Sequence, residues 1–160
     1  MANGGKQELS AIVDNIILKS METLKCVFEV IRDDQKSETE TVEISPRIEM
    51  NIEQNTDNAN EYRITMGVSI GQDEGSKFPY HVETAVRSVF EFHDIPISEH
   101  PDIIRLKCCS IMFPYVRANI SSIMTCAGVS PYYLPVMNMD KLFSKEHLLW
   151  SASETTDKQN

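Results

Sequence analysis

Between Val42 and Phe92 apolar side chains fall at every second position, in three successive stretches. Val42, Ile44, Ile48, Met50 and Ile52 share one parity, while Glu43, Ser45, Arg47, Glu49, Asn51 and Glu53 share the other. Tyr62, Ile64, Met66, Val68 and Ile70 stand against Arg63, Thr65 and Ser69. From about Phe78 to His93, Tyr80, Val82, Val86, Phe90 and Phe92 lie on one face. A period of two sends alternate side chains to opposite faces of a strand, so these are strands with one dry and one wet side. Pro46 cannot donate to a ladder and marks an edge, a bulge or a break. The segments QNTDNAN (54–60) and GQDEGS (71–76) read as hairpin loops. An earlier strand carries Leu24, Cys26, Phe28 and Val30 around Lys25 and Glu29, blurred by Val27 and Ile31. A charged link, Asp33 to Thr41, comes after it. Four strands in succession predict an antiparallel meander.

Helical spacing appears on both sides of this block. Leu9, Ile12, Val13, Ile16 and Ile17 predict a short amphipathic helix over residues 7–19. Pro101 opens a helix to about Met112, and Pro114 opens the next, since a first-turn proline gives up no helical hydrogen bond. Val116, Ile120, Ile123, Met124 and Ala127 form the stripe of that helix, and Gly128 stops it. Ser130 to Val136 holds two prolines and reads as a loop. Asn138 caps a last helix with Leu142, Phe143, Leu149 and Trp150. The tail, residues 151–160, is polar and reads as disordered. Strands first and helices after them make an α+β fold with the helices on one face of the sheet. At 160 residues the chain reads as a single domain over residues 1–150 followed by that tail.

Charge narrows the function. Acids outnumber bases 24 to 15, for a formal charge of −9. Duplex nucleic acid is bound by neutralising phosphates with Lys and Arg, so a nucleic-acid role is disfavoured. No apolar run reaches the ~20 residues of a membrane span. The polar start MANGGKQEL lacks a signal peptide's apolar block, so a cytoplasmic chain is expected. Cys26, Cys108, Cys109 and Cys126 form no disulfide-scaffold pattern.

Chemistry-bearing motifs are sparse. His81, His93, His100 and His147 fit no zinc spacing, and by parity His81 and His93 lie on the wet face of their strand. No metal or cofactor is therefore expected. Cys26 falls on the apolar parity, where a thiol behaves as a small hydrophobe. The sequon Asn119-Ile120-Ser121 lies mid-helix. The acids Glu43, Glu49 and Glu53 make either a solvated face or a docking face for a basic partner. Tyr132 and Tyr133 are adjacent between two prolines, in a segment too short to bury both. With Met137 and Met139 nearby they suit a surface that accepts varied apolar shapes.

These last residues carry a resemblance. Phe113-Pro114-Tyr115-Val116-Arg117, then Gly128, Leu134-Pro135-Val136 and Asn138-Met139-Asp140-Lys141-Leu142-Phe143, resemble the last third of SecB, the bacterial protein-export chaperone family. The likeness spans about Leu18 to Trp150. It implies an ATP-independent holdase for unfolded precursor polypeptides, assembled as a homotetramer, a dimer of dimers. Its long helices, here with Val116, Ile120, Ile123 and Met124, would meet at the assembly interface. The resemblance implies a peptide-binding groove at Ile44, Ile48, Tyr80 and Phe143, with Tyr132, Leu134 and Leu142 as additions. It implies docking acids for the SecA motor at Glu29 and Glu83, on a face that also holds Glu49 and Glu53. Lys25 stands where the resemblance places an acid, and His81 where it places an apolar residue. A chaperone for another client, such as an antitoxin, is the alternative within the family. From other classes, a thioesterase-like enzyme shares the sheet-and-helix pattern, although Phe113, Pro114 and Tyr115 offer no carboxylate at the helix start. A purely structural subunit would use its aromatics only to oligomerise.

Overall fold

Alternation in the sequence becomes pairing in the computed structural model, which describes residues 15–31, 42–72, 76–94 and 101–138, with helix side chains from Arg105 onward. Among these residues four strands, β1 (Ile16–Val30), β2 (Arg47–Gln54), β3 (Glu61–Ile70) and β4 (Tyr80–Phe92), precede one helix, α1 (Pro101–Cys126). All neighbouring strands are antiparallel and the order is β1-β4-β3-β2. The α+β class and the single antiparallel sheet are as the sequence predicts. The strict meander is corrected: β2, β3 and β4 run as one, but β1 pairs with β4 rather than β2. Both edges of β4 are thereby paired, and its inner residues Val82, Val86, Phe90 and Phe92 are fully covered.

The β2–β3 hairpin arises from its loop. Asn55 Oδ1 accepts from the Asp57 N–H (2.9 Å), and Asn58 Oδ1 accepts from the Asn60 N–H (3.1 Å), the local bonds for which asparagine is favoured in turns. The register sets Ile48 opposite Val68, Met50 opposite Met66 and Ile52 opposite Ile64. Pro46 acts as a break: β2 starts at Arg47, so Val42 and Ile44 precede the strand.

The helix predicted over 7–19 is corrected where it can be followed. Ile16 to Lys19 belong to β1, held by pairing of Ile16 with Phe92 and Ile17 with Glu91; residues 7–14 lie outside the described residues. Two register shifts interrupt β1, between Leu18 and Ser20 and between Thr23 and Lys25. Each bulge inserts one residue, Lys19 or Leu24, and flips the phase of the strand beyond it.

The two helices predicted to meet at Pro114 are one. Pro114 lies inside α1 and is exposed, so its ring points to solvent and the cost is one missing backbone bond. Cys108, Met112, Val116, Ile120 and Met124, one residue in four, form a buried stripe that runs straight past it. Phe113 and Cys109 widen that stripe. The helix packs mainly on β4 and also on β3 and β1. Each fully covered side chain of this layer contributes about 1.5–3 kcal/mol. Asn119 fixes the crossing: its Nδ2 donates to Thr23 Oγ1 (3.1 Å) and Thr84 Oγ1 (3.3 Å), which satisfies the buried Thr84. Gly128 ends the helical region at φ 77° with its N–H on the Thr125 carbonyl (3.0 Å).

Candidate functional site

Beyond α1 the chain turns back over the end of the sheet, and residues 128–138 run without helix or strand. This return leaves a cleft of about 540 Å³ lined by Ile44, Phe78, Tyr80, Met124 and the turn from Gly128 to Tyr132. Its floor and walls come from three places in the sequence: the segment before β2, the start of β4, and the end of α1 with the turn after it. Tyr80 forms the centre of an aromatic row. Its ring lies 5.2 Å from Phe28 and 5.5 Å, edge-on, from Phe78. Such contacts hold the ring in place and add about 0.5–1.5 kcal/mol each beyond burial. Ile44, Tyr80 and Tyr132 pack on the core but stay part-exposed, so the cleft presents apolar surface to solvent.

The structure therefore brings together three of the groove candidates, Ile44, Tyr80 and Tyr132. Ile48 packs on the core from β2 and does not line the cleft. Leu134 is fully buried, so as a contact for an outside chain it is corrected to a core residue that anchors the return segment. Leu142 and Phe143 lie outside the described residues. Phe78, Met124 and Val129 line the cleft although sequence pattern does not mark them for it. Phe78 lies just before β4 and by alternation reads as one more inward strand position, and Met124 reads from its spacing as part of a helix stripe. Only the turn after Gly128 aims both at the same space. Tyr133 and Val136, by contrast, face solvent at 64% and 85% exposure.

The helix residues expected at an assembly interface are also relocated. Val116, Ile120 and Met124 are buried within the chain's own core, and Ile123 is half-buried against it. A helix over a sheet must cover its apolar stripe in that way. The outward face carries Ser110, Pro114, Tyr115, Ala118 and Ser122.

On the opposite face of the sheet the acids are interleaved with bases. Glu83 accepts from Lys25 Nζ at 2.8 Å, and Glu29 meets His81 Nδ1 at 3.1 Å. His81 Nε2 is also 3.8 Å from Glu83 and 2.8 Å from the Gln72 amide nitrogen. Arg63 faces Glu53 at 3.6 Å and Arg87 faces Glu22 at 3.7 Å. Lys19, pushed out by its bulge, bridges Glu61 (2.8 Å) and Glu91 (2.9 Å). Its hydrogen bonds to Glu61 and then Glu91 hold the ammonium well above its ordinary pKa. The same bond, with one from Asn55, lowers that of Glu61. Glu49 sits across from Gly67 and has no ion-pair partner among the described residues. So Glu29, Glu83 and Glu53 are each engaged within the chain.

Thiol chemistry is confined to the surface. Burial pushes the Cys108 thiol up to about 12, and Cys109 is raised by burial and by Cys108 beside it. Cys26 is exposed rather than covered as its parity suggests, because β1 is an edge strand. Among the described residues no three His, Cys, Asp or Glu side chains gather as metal ligands, and no helix is long and apolar enough to cross a membrane.

Comparison with known proteins closes the identification of the fold and family. A relative from Azoarcus sp. (strain BH72), a protein-export protein SecB, is 28% identical over 110 residues, covering 68% of this chain and 72% of its own length. Another protein-export protein SecB, from Thiobacillus denitrificans, is 26% identical over 104 residues, covering 64% of this chain and 68% of its own. Among solved structures, the SecB-like chaperone of Mycobacterium tuberculosis, in complex with a ChAD peptide from the HigA1 antitoxin, shares the fold. Its TM-score is 0.61 at 12% identity, covering 82% of this chain and 98% of its own. The family of preprotein translocase subunit SecB matches residues 20–148, a span that takes in most of β1 and every later element described. This chain belongs to the SecB family.

Proposed function

We propose that the chain is an ATP-independent holdase that keeps non-native polypeptides from aggregating by covering their apolar side chains. Chaperone function, for export or for a specific client, is what the family membership supports. The observation that carries the site is the convergence of Ile44, Tyr80 and Tyr132 on one open cleft beside the Phe28–Tyr80–Phe78 aromatic row. An unfolded client exposes apolar surface, and each Å² removed from water is worth about 25 cal/mol. Several weak sites, linked along one client, raise one another's effective concentration. Holding needs no bond to be made or broken, so release comes with client folding or competition by another binder.

Assembly into a tetramer would supply that multiplicity, with the small outward residues Ser110, Ala118 and Ser122 of α1 the face open to another protomer. Docking to a SecA-type motor through Glu29 and Glu83 would have to displace Lys25 and His81, whereas the exposed Glu49 has no such ion pair to break among the described residues. A dedicated client is the second reading, favoured by the related fold that holds an antitoxin peptide. A cytoplasmic setting fits either.

The test is dilution of an unfolded, aggregation-prone protein with and without the purified chain, in the absence of nucleotide. Suppressed light scattering by the wild-type chain, lost in Ile44→Asp, supports the holdase. No suppression, or equal suppression by the variant, counts against the cleft. Turnover of acyl thioesters would support the enzyme alternative.

A further inference from the structure

The wall of the cleft that carries Tyr132 hangs on a sulfur atom. After Gly128 the chain leaves helical geometry, and its backbone N–H groups lose their regular acceptors. The Ala127 N–H still reaches the Ile123 carbonyl (3.0 Å), and the Val129 N–H reaches the Met124 carbonyl (3.1 Å). Three residues further on, the Tyr132 N–H points back to the same residue and donates to Met124 Sδ at 3.3 Å. The main chain of Met124 thus pins one end of the arc and its side chain pins the other. Met124 is itself 2% exposed, held in the core beneath the cleft it lines.

We propose that Met124 is a positioning residue, whose thioether fixes the Tyr132 wall and so sets the opening of the cleft. Sulfur is a weak and polarisable acceptor on a flexible stem. A wall tied by it is placed but compliant, and can shift with the side chain that enters. Leucine has similar volume and no acceptor, so it keeps the packing and removes the tie. Glutamine has similar length and offers an oxygen instead. The inference rests on the cleft's role in client binding, and its test is arranged so that the two fail separately.

Hydrogen–deuterium exchange at the Tyr132 amide, in the full chain, reads the tie directly. Binding of a fluorescein-labelled basic peptide rich in Phe and Leu reads the cleft. In Met124→Leu the Tyr132 amide should exchange about fivefold faster or more, the size of one net hydrogen bond. Peptide Kd should rise several-fold, while Met124→Gln keeps the amide protected. Unchanged exchange in Met124→Leu would overturn the proposal, as would faster exchange with unchanged Kd. If the wild-type chain binds no peptide, the client-binding role of the cleft falls, and the exchange result alone decides whether Met124 holds the wall. If Met124→Leu does not fold, the unsubstituted chain labelled with ⁷⁷Se-selenomethionine decides. A scalar coupling between the Tyr132 amide proton and the Met124 selenium supports the tie, and its absence rejects it.

Discussion

Gly71 lies so close to Tyr80 that a Cβ on residue 71 would overlap the Tyr80 carbonyl oxygen, and would stand 3.2 Å from Phe78 Cδ1. Gly71 also holds φ at 84°, in the left-handed region that side chains disfavour. Backbone, strain and cleft lining meet at this one position. Gly71→Ala should cost about 2 kcal/mol or more in urea unfolding, from strain and collision together. Because Phe78 and Tyr80 must shift to relieve it, whatever folds should also bind apolar peptide more weakly. Unfolding curves matching wild type would show that the turn is not held as described.

The Lys19–Glu61 pair ties stability to pH. Hydrogen bonds from Lys19 and then Asn55 place the folded-state pKa of Glu61 below its ordinary 4.5. A carboxylate lowered in this way gives its full share of stability above the unfolded value and loses it as pH falls through the folded value. Lys19, raised above its ordinary 10.5, gives its share below that value and loses it only at strongly alkaline pH. Glu61→Gln should therefore lower the midpoint of thermal unfolding at neutral pH and show a smaller further drop on acidification. Glu91, His93 and Arg63 also face this cluster, so a modest slope should remain.

Ser88 should tolerate loss of its hydroxyl. Its side chain is fully buried on the helix side of β4, and its Oγ has no hydrogen-bond partner among the described residues. A buried polar atom without a partner costs free energy. Ser88→Ala should be neutral or stabilising by up to about 1 kcal/mol in chemical unfolding. A loss above about 1 kcal/mol would mean that the hydroxyl is paired in solution.

Thiol titration should divide the four cysteines in half. Cys26 and Cys126 are exposed, whereas Cys108 and Cys109 are buried with their ionisation suppressed. An aromatic disulfide reagent should label two thiols quickly in the native chain and the other two only after denaturant is added. Rapid labelling of Cys108 or Cys109, located by mass spectrometry, would show that α1 lifts from the sheet.

How far residue order alone reveals the fold depends on the physics of each element. β2 and β3 pair without irregularity, so period two survives intact and fixes their faces. β1 holds two bulges, and each inserted residue reverses the phase, so Leu18, Met21 and Cys26 share a face that no single parity joins; Ile17 and Val27 are apolar residues opposite Glu91 and Glu83 on the other face, which blurs the alternation further. Pro114 is compatible with both a helix start and an exposed interior position, and the difference lies in which way its ring points. The cleft depends on a turn that folds Met124 and Tyr132 together, and no spacing rule links a helix stripe to a loop tyrosine. Ile44 and Tyr80 are marked by family resemblance rather than pattern, since strand parity alone places them in the core.

The strand order has a temporal consequence. Because β1 pairs with β4 alone among the described residues, a chain emerging from the ribosome carries β1 without that partner until β4 has been made. Closing that distant contact is slow, and the waiting strand is itself open to wrong pairings. The proposed holdase would thus pass through the same exposed condition as the non-native polypeptides it is proposed to hold.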